Sequence, residues 1–252
     1  MLAELLASFV VAIGFFTVLP VGRRTSLEPG RMAAAMTWFP VVGLLLGGIL
    51  ALADLGLHAL FPPLVEAGLL LTLWVALTGA LHLDGFLDAC DGLLSPRPPR
   101  ERLEILRDVH AGSFAVGGGA CLLIVKFALL AELPTAFRAL TLLVIPALAR
   151  AGVVYAARAF PYAKPGGLGR LFRERLTWGH VATAATIAVA AAAIALGWIG
   201  LVVAAFVWLL TTVVAHWTCR RIPGLTGDVY GAIVELGEAG GLLLVLLIAE
   251  AL

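Results

Sequence analysis

Residues 67–94 read AGLLLTLWVALTGALHLDGFLDACDGLL, an apolar run that ends in one histidine and three aspartates. With no proline to interrupt it, the run predicts a single helix long enough to cross a membrane. Hydrocarbon disfavours unpaired charges, so carboxylates at the end of such a helix need a specific explanation. Cation binding is one explanation, and contact with water is the other.

The whole chain has the composition of a membrane protein. Of its 252 residues, 62% are hydrophobic and 13% are charged, about half the charged share of a soluble domain. No segments of alternating polarity suggest a membrane β-barrel. The sequence therefore predicts an all-α, polytopic transmembrane helical bundle of about 7–8 spans, forming one integral membrane domain over residues 1–252. Three cysteines without metal-ligand spacing predict neither a disulfide framework nor a zinc site.

Eight apolar stretches are the candidates for these spans. A signal peptide would have basic residues before its apolar core. The first stretch has none, so it is predicted to be a retained helix. The stretches cover about 2–19, 32–53, 67–90, 113–131, 139–159, 180–196, 199–219 and 231–252.

Basic residues mark one side of the predicted bundle. Alternate connections hold 13 of the 17 basic residues, whereas the intervening connections hold Asp54, His58, Glu66, Glu132 and a single base, Arg138. Because positively charged connections stay in the cytoplasm, eight spans would place both termini outside. If the first stretch only lies in the membrane interface, seven spans remain and the N-terminus is cytoplasmic.

Asp84, Asp88 and Asp91 are predicted to share one helix face, within an arc of about 60° over two turns. Like charges at this spacing repel each other, and a divalent cation would relieve the repulsion. Ligands that are all oxygen predict Mg²⁺ or Mn²⁺ rather than a softer metal. A solvated helix end, or pairing with neighbouring arginines, is the alternative. Gly85 and Gly92 fit close packing against a helix or a ligand.

Further ionisable residues lie in the connections on the basic side. Glu104 and Asp108, four residues apart on a short amphipathic segment, can add metal ligands, and Arg107 can clamp a phosphate. Lys164 and Arg170 lie in a glycine-rich connection and can bind phosphate as well. A solvated interfacial helix is the alternative for Glu104, Arg107 and Asp108. Topology signalling is the alternative for Lys164 and Arg170.

The start of the last apolar stretch carries two more acids on one face, Asp228 and Glu235. Thr226 or Asp228 can cap this helix, but Glu235 lies too deep for capping. His82 is more than about 100° around its helix from Asp88, so it fits substrate binding or helix packing better than metal binding. Acids and bases from four connections thus converge on the cytoplasmic side. This predicts a cytoplasmic-side active site for a metal-dependent reaction on a phosphate compound.

Several motifs carry a resemblance to a known family: FFTVLPVG (15–22), MTWFPVVGLLLGG (36–48), HLDGFLDACDGLLS (82–95), LEILRDVHAGSFA (103–115) and GLTGDVYGAIVELGE (224–238). The pairing of HLDGxxDxxDG with TGDxxGAxxEL is specific. The sequence resembles the adenosylcobinamide-GDP ribazoletransferase (cobalamin synthase) family nearly from end to end. The match is looser where Arg-Asp-Val-His at 107–110 replaces the Arg-Asp-Ser and following base that are typical of the family.

The resemblance implies a multi-pass enzyme of the cell inner (cytoplasmic) membrane, in contact with lipid and not with nucleic acid. It would join adenosylcobinamide-GDP to α-ribazole or its 5′-phosphate, release GMP and require Mg²⁺. Motif position and spacing together predict the site residues. The catalytic set is Asp84, Asp88, Asp91 and Asp108; the substrate-binding set is His82, Arg107, Lys164, Arg170, Asp228 and Glu235; the metal ligands are Asp84, Asp88, Asp91 and Glu104.

Two other functions stay open on the sequence alone. DACDG at 88–92 resembles the opening of the CDP-alcohol phosphotransferase signature, although Ser95 and Pro96 stand where Ala-Arg should follow. Such an enzyme would act on lipid and release CMP. A membrane cation transporter is the other alternative, and its acids should lie near the bilayer midplane.

Overall fold

The computed structural model describes residues 2–21, 28–108, 110–163 and 168–252. Every regular element in these ranges is a helix, which confirms the all-α prediction, and one isolated bridge pairs Tyr162 with Leu225. The helices are α1 (Leu2–Phe16), α2 (Pro29–Thr37), α3 (Phe39–His58), α4 (Pro63–Leu77), α5 (Leu81–Leu94), α6 (Pro99–Ile105), α7 (Ser113–Glu132), α8 (Thr135–Ala159), α9 (Leu168–Glu174), α10 (Trp178–Leu196), α11 (Trp198–Cys219) and α12 (Gly227–Glu250).

Six of these helices are long and apolar enough to cross a membrane, namely α3, α7, α8, α10, α11 and α12. The pair α4 and α5 makes a seventh if the two are counted as one broken span. The chain is therefore a multi-pass membrane protein. Helices α2, α6 and α9, with the turn before α12, lie at the same end of the bundle, which we call the basic end.

Helix α1 is too short to join these spans. Its 15 residues extend about 22 Å, against roughly 30 Å of hydrocarbon. It packs parallel to α2, because Glu4 near the start of α1 pairs with Arg31 near the start of α2 at 3.2 Å, and the Trp38 indole at the end of α2 donates a hydrogen bond to Ser8, one turn further along α1, at 3.1 Å. The start of α1 thus lies at the basic end, which supports the seven-span alternative over eight spans.

The prediction of one continuous helix over the third apolar run is wrong. The run breaks into α4 and α5, which meet at 89°. Gly79 and Ala80 take left-handed backbone angles, φ 59° and 57°. The Ala80 N–H donates to the Val75 carbonyl and the Gly79 N–H to the Ala76 carbonyl, both at 3.0 Å. This pattern is a Schellman motif, in which a glycine ends a helix without a proline.

The acids and bases predicted for the intervening connections lie inside helices instead. Asp54 of α3, Glu66 of α4 and Arg138 of α8 are buried at the end of the bundle opposite the basic end. Arg138 contacts Asp54 at 2.6 Å and Glu66 at 2.9 Å, and His58 lies 3.0 Å from Glu66. A charge within lipid needs a partner, so this cluster fastens α3, α4 and α8 together.

Helix α8 forms the centre of the bundle and packs most closely against α3. A Cβ atom added at Gly43 of α3 would lie 2.6 Å from the Pro146 carbonyl oxygen of α8. Small residues at helix contacts allow this approach in membrane proteins. The packing places Arg150 of α8, which is fully buried, directly beneath the basic end.

Candidate active site

A cavity of about 350 Å³ opens at the basic end, between the ends of α1, α3, α5, α8, α9 and α12. Two carboxylates, those of Asp84 and Asp228, line it together with the His82 side chain. Most of the remaining wall is aromatic or aliphatic. Its aromatic residues are Phe15, Phe16, Phe39, Tyr162, Phe172 and Tyr230.

Two glycines bring the motif that contains Asp84 and the motif that contains Asp228 together at this cavity. A Cβ atom added at Gly85 of α5 would lie 3.0 Å from the Asp228 carbonyl oxygen and 3.2 Å from the Gly231 Cα atom. A Cβ atom at Gly231 of α12 would lie 2.8 Å from the His82 carbonyl oxygen. Only glycines allow backbones to approach this closely. The close-packing interpretation of Gly85 is thereby confirmed, and the crossing carries Asp84 and Asp228 to the same cavity.

Asp228 is fixed by the start of α12. The Thr226 hydroxyl accepts a hydrogen bond from the Val229 N–H at 3.4 Å, which confirms that Thr226 caps the helix. The same hydroxyl donates to the Asp228 carboxylate at 3.0 Å. Leu225, one residue earlier, pairs with Pro161 and Ala163 by backbone hydrogen bonds of 2.8 Å. These contacts hold residues 161–163 and the start of α12 as one wall.

Tyr162 lies in that wall and faces the cavity beside Asp228. Burial raises the pKa of its phenol, and the negative charge of Asp228 raises the pKa further. The phenol therefore stays protonated at neutral pH. It can donate a hydrogen bond to an anionic group at the mouth of the cavity.

Asp84 stands in the first turn of α5, opposite Asp228. Its side chain is exposed, and within the described part of the chain its carboxylate has no hydrogen bond or ion pair to another side chain. The N-terminus of a helix favours a negative charge. Asp84 thus presents its carboxylate to a cation or to a substrate proton in the cavity. Asp88, one turn later, is half-buried and does not line the cavity.

Asp91 binds the start of α7. Its two carboxylate oxygens accept hydrogen bonds from the Gly112 N–H at 2.6 Å and from the Ala115 N–H at 2.9 Å. A helix N-terminus leaves such N–H groups without partners, so Asp91 acts as a cap supplied by another helix. This is a structural role, and the assignment of Asp91 as a catalytic residue and metal ligand stays a prediction.

The residues predicted around α6 lie outside the cavity wall. Glu104, Arg107 and Asp108 are exposed, and the Asp108 carboxylate lies 2.7 Å from the His110 ring. Arg170 of α9 is exposed and follows a residue of the cavity wall, Gly169. Lys164 falls outside the described residues.

A buried network of charges lies beneath the cavity floor. The Lys126 ammonium contacts Glu235 at 2.8 Å and Glu238 at 2.9 Å, and Arg150 contacts Glu238 at 3.0 Å. The Arg150 guanidinium also lies 3.4 Å from the His82 ring. Two cations therefore balance two carboxylates deep in the bundle, as burial in lipid requires. The network joins α5, α7, α8 and α12.

Two predicted substrate-binding residues, Glu235 and His82, belong to this network or contact it. Glu235 is buried and paired with Lys126, and it is not among the residues that line the cavity. His82 does line the cavity while its ring meets Arg150 from behind. The sequence interpretation missed Lys126 and Arg150, and it gave no role to Glu238, an acid of the motif at 224–238. Bases inside apolar stretches were the available signal, because ionisable residues at membrane depth mark function or pairing.

A metal ion at this end would find its ligands among the carboxylates of the cavity. Among the described residues, no group of three or more His, Cys, Asp or Glu side chains could hold a metal ion. Mg²⁺, however, commonly takes one or two carboxylates and completes its shell with water and substrate phosphates. Asp84 and Asp228 have the right chemistry for such a shared ion. The larger ligand set, with Asp88, Asp91 and Glu104, stays a prediction.

A family profile and several relatives match this chain along nearly its whole length. A family profile described as cobalamin-5-phosphate synthase matches residues 8–247. A protein from Roseiflexus sp. strain RS-1 is 39% identical over 90% of this chain and 84% of its own length. One from Pseudomonas aeruginosa is 38% identical over 93% of this chain and 96% of its own.

Both relatives carry the name adenosylcobinamide-GDP ribazoletransferase. A third protein of that name, from Deinococcus radiodurans, is 37% identical over 90% of this chain and 81% of its own. The comparison with solved structures found no match.

Proposed function

The chain belongs to the cobalamin-5-phosphate synthase family, and on that premise we propose that it is an adenosylcobinamide-GDP ribazoletransferase of the cytoplasmic membrane. It joins adenosylcobinamide-GDP to α-ribazole or its 5′-phosphate. The products are adenosylcobalamin, or its 5′-phosphate, and GMP. Membership of this family favours the transferase over the CDP-alcohol phosphotransferase and the cation transporter that the sequence left open.

The observation that carries the proposal is the crossing of α5 and α12 at Gly85 and Gly231. It joins the two motifs that define the resemblance and places a carboxylate from each, Asp84 and Asp228, in one cavity. The cavity opens at the end that holds most of the basic residues, where an enzyme of the cytoplasmic membrane meets water-soluble substrates.

In the proposed reaction, a ribose hydroxyl of the ribazole attacks the phosphate that is attached to the cobinamide. A new oxygen–phosphorus bond forms, and the bond from that phosphorus to the GMP oxygen breaks. Asp84 accepts the hydroxyl proton, since its carboxylate is exposed and makes no bond to another described side chain. The Tyr162 phenol donates a hydrogen bond to a phosphate oxygen, and Arg170 binds another.

Asp228 and one Asp84 oxygen would hold Mg²⁺ at this site, and the second Asp84 oxygen would remain to accept the hydroxyl proton. When bound, the ion would neutralise the negative charge that develops as GMP leaves. Asp228 suits the role of ligand because the Thr226 hydroxyl holds its carboxylate in place at 3.0 Å. A ligand fixed in advance does not have to be ordered when substrate binds.

The test is GMP release by the purified full-length protein in detergent micelles, with adenosylcobinamide-GDP, α-ribazole and Mg²⁺. The wild-type protein should release GMP and form one corrinoid product, and Asp84→Asn should lower the rate by roughly a hundredfold or more. Glu132→Gln is the matched control, because Glu132 is an exposed carboxylate at the far end of α7. Release of CMP from a CDP-alcohol, and no GMP from adenosylcobinamide-GDP, would contradict the proposal.

A further inference from the structure

The inner part of the cavity is a box of aromatic rings. The Phe172 ring of α9 lies 4.8 Å from the Phe15 ring and 5.5 Å from the Phe39 ring, in edge-to-face contacts. The Phe16 and Phe39 rings are 4.3 Å apart. Phe15 and Phe16 come from the end of α1, Phe39 from the start of α3 and Phe172 from α9. Ring edges and faces that converge on one space favour a flat aromatic guest.

The polar groups of the cavity are confined to the parts of its wall formed by α5, α12 and the connection before α9. These groups are His82, Asp84, Asp228 and the Tyr162 phenol, whereas the wall formed by α1, α3 and α9 consists of rings and aliphatic groups. An occupant should therefore have one apolar, flat part and one part with hydroxyl or phosphate groups. A nucleoside with a base that lacks polar substituents has this form.

The cavity volume indicates which of the two substrates of the proposed reaction can fit inside. At about 350 Å³, the cavity is at the lower limit for a small-molecule pocket, and a nucleoside of about twenty non-hydrogen atoms suits that size. A corrin macrocycle with its side chains is several times larger and has to stay outside. The guanine base would fit by size, but its ring edge carries polar groups that these rings could not satisfy.

Resting on the proposed function, we infer that the aromatic box formed by Phe15, Phe16, Phe39 and Phe172 binds the benzimidazole base of the ribazole. The base packs against the ring surfaces that line the cavity, and its ribose points to the mouth, where Asp84 and Asp228 lie. The corrinoid diphosphate then approaches from the basic end. The box thus selects the base and positions the attacking hydroxyl.

Binding and competition measurements test this inference. Phe15→Leu and Phe172→Leu should each raise the KM for α-ribazole roughly threefold to tenfold, and the KM for adenosylcobinamide-GDP should stay within about twofold of wild type. Phe114→Leu is the matched control, because Phe114 is an exposed ring at the start of α7 outside the cavity. A rise confined to the KM for adenosylcobinamide-GDP would overturn the inference, since the box would then hold guanine.

A second measurement needs no variant and no turnover. Binding of radiolabelled α-ribazole to the wild-type protein is followed while free 5,6-dimethylbenzimidazole or guanosine competes. Displacement by dimethylbenzimidazole at a concentration at least tenfold lower than guanosine requires supports the inference, and equal displacement overturns it. Absence of GMP release by the wild-type protein would overturn the proposed function instead, so the two failures are distinguishable.

Discussion

Replacing Gly85 by alanine tests the helix crossing that the site depends on. The added Cβ atom would lie 3.0 Å from the Asp228 carbonyl oxygen, 3.1 Å from its Cα atom and 3.2 Å from the Gly231 Cα atom. Carbon atoms prefer a separation of about 3.5–4.0 Å, so α5 and α12 must move apart by roughly half an ångström. Overpacking of this kind costs about 1–3 kcal/mol, and the better helix propensity of alanine offsets about 1 kcal/mol of it.

The substitution should lower activity as well as stability. Moving Asp84 relative to Asp228 by half an ångström should lower kcat/KM for GMP release by roughly tenfold, since a displacement of 1 Å can cost a hundredfold. Gly117→Ala is the control, because nothing lies within 4 Å of a Cβ atom at Gly117 of α7. A Gly85→Ala protein with the kcat/KM and thermal midpoint of wild type would refute the close contact between these helices.

Three further predictions follow from the packing around the site. Lys126→Met should destabilise the protein by about 3–5 kcal/mol in thermal unfolding, because Glu235 loses its buried cation and Glu238 keeps only Arg150; an unchanged midpoint would contradict the network. Asp91→Ala should cost about 1–2 kcal/mol of stability through the lost cap of α7 but retain most GMP release. A loss of activity as severe as that of Asp84→Asn would instead make Asp91 part of the chemistry. Chelation with EDTA should abolish GMP release and added Mg²⁺ should restore it; activity that survives EDTA would exclude the proposed Mg²⁺ role.

Much of the scaffold could be predicted because two sequence patterns, apolar runs and basic connections, depend on local composition alone. Apolar runs located the helices, and the basic connections predicted which ends of the spans lie together. The close approach at Gly85 was one of two interpretations, and only the packing of α12 decides between them. The break at Gly79 was missed because a glycine in left-handed conformation interrupts an apolar run without changing its hydrophobicity.

The charge network shows why the site itself was harder to predict. Lys126 and Glu238 lie far apart in the sequence, and their contact exists only once α7 and α12 pack together. Asp91 looked equivalent to Asp84 because helical spacing places both on one arc. In the folded protein, the Asp91 carboxylate accepts a hydrogen bond at the start of α7, whereas Asp84 lines the cavity. Spacing along one helix cannot distinguish these outcomes, because neighbouring helices determine which carboxylates are already bonded.

The most direct test is a cryo-electron microscopy structure of the protein with adenosylcobinamide-GDP and Mg²⁺. We expect the diphosphate at the mouth of the cavity, with the Asp84 and Asp228 carboxylates within coordination distance of one metal ion. A diphosphate bound along α6, with Asp84 and Asp228 contacting neither metal nor phosphate, would contradict the claim that these two motifs build the reaction centre.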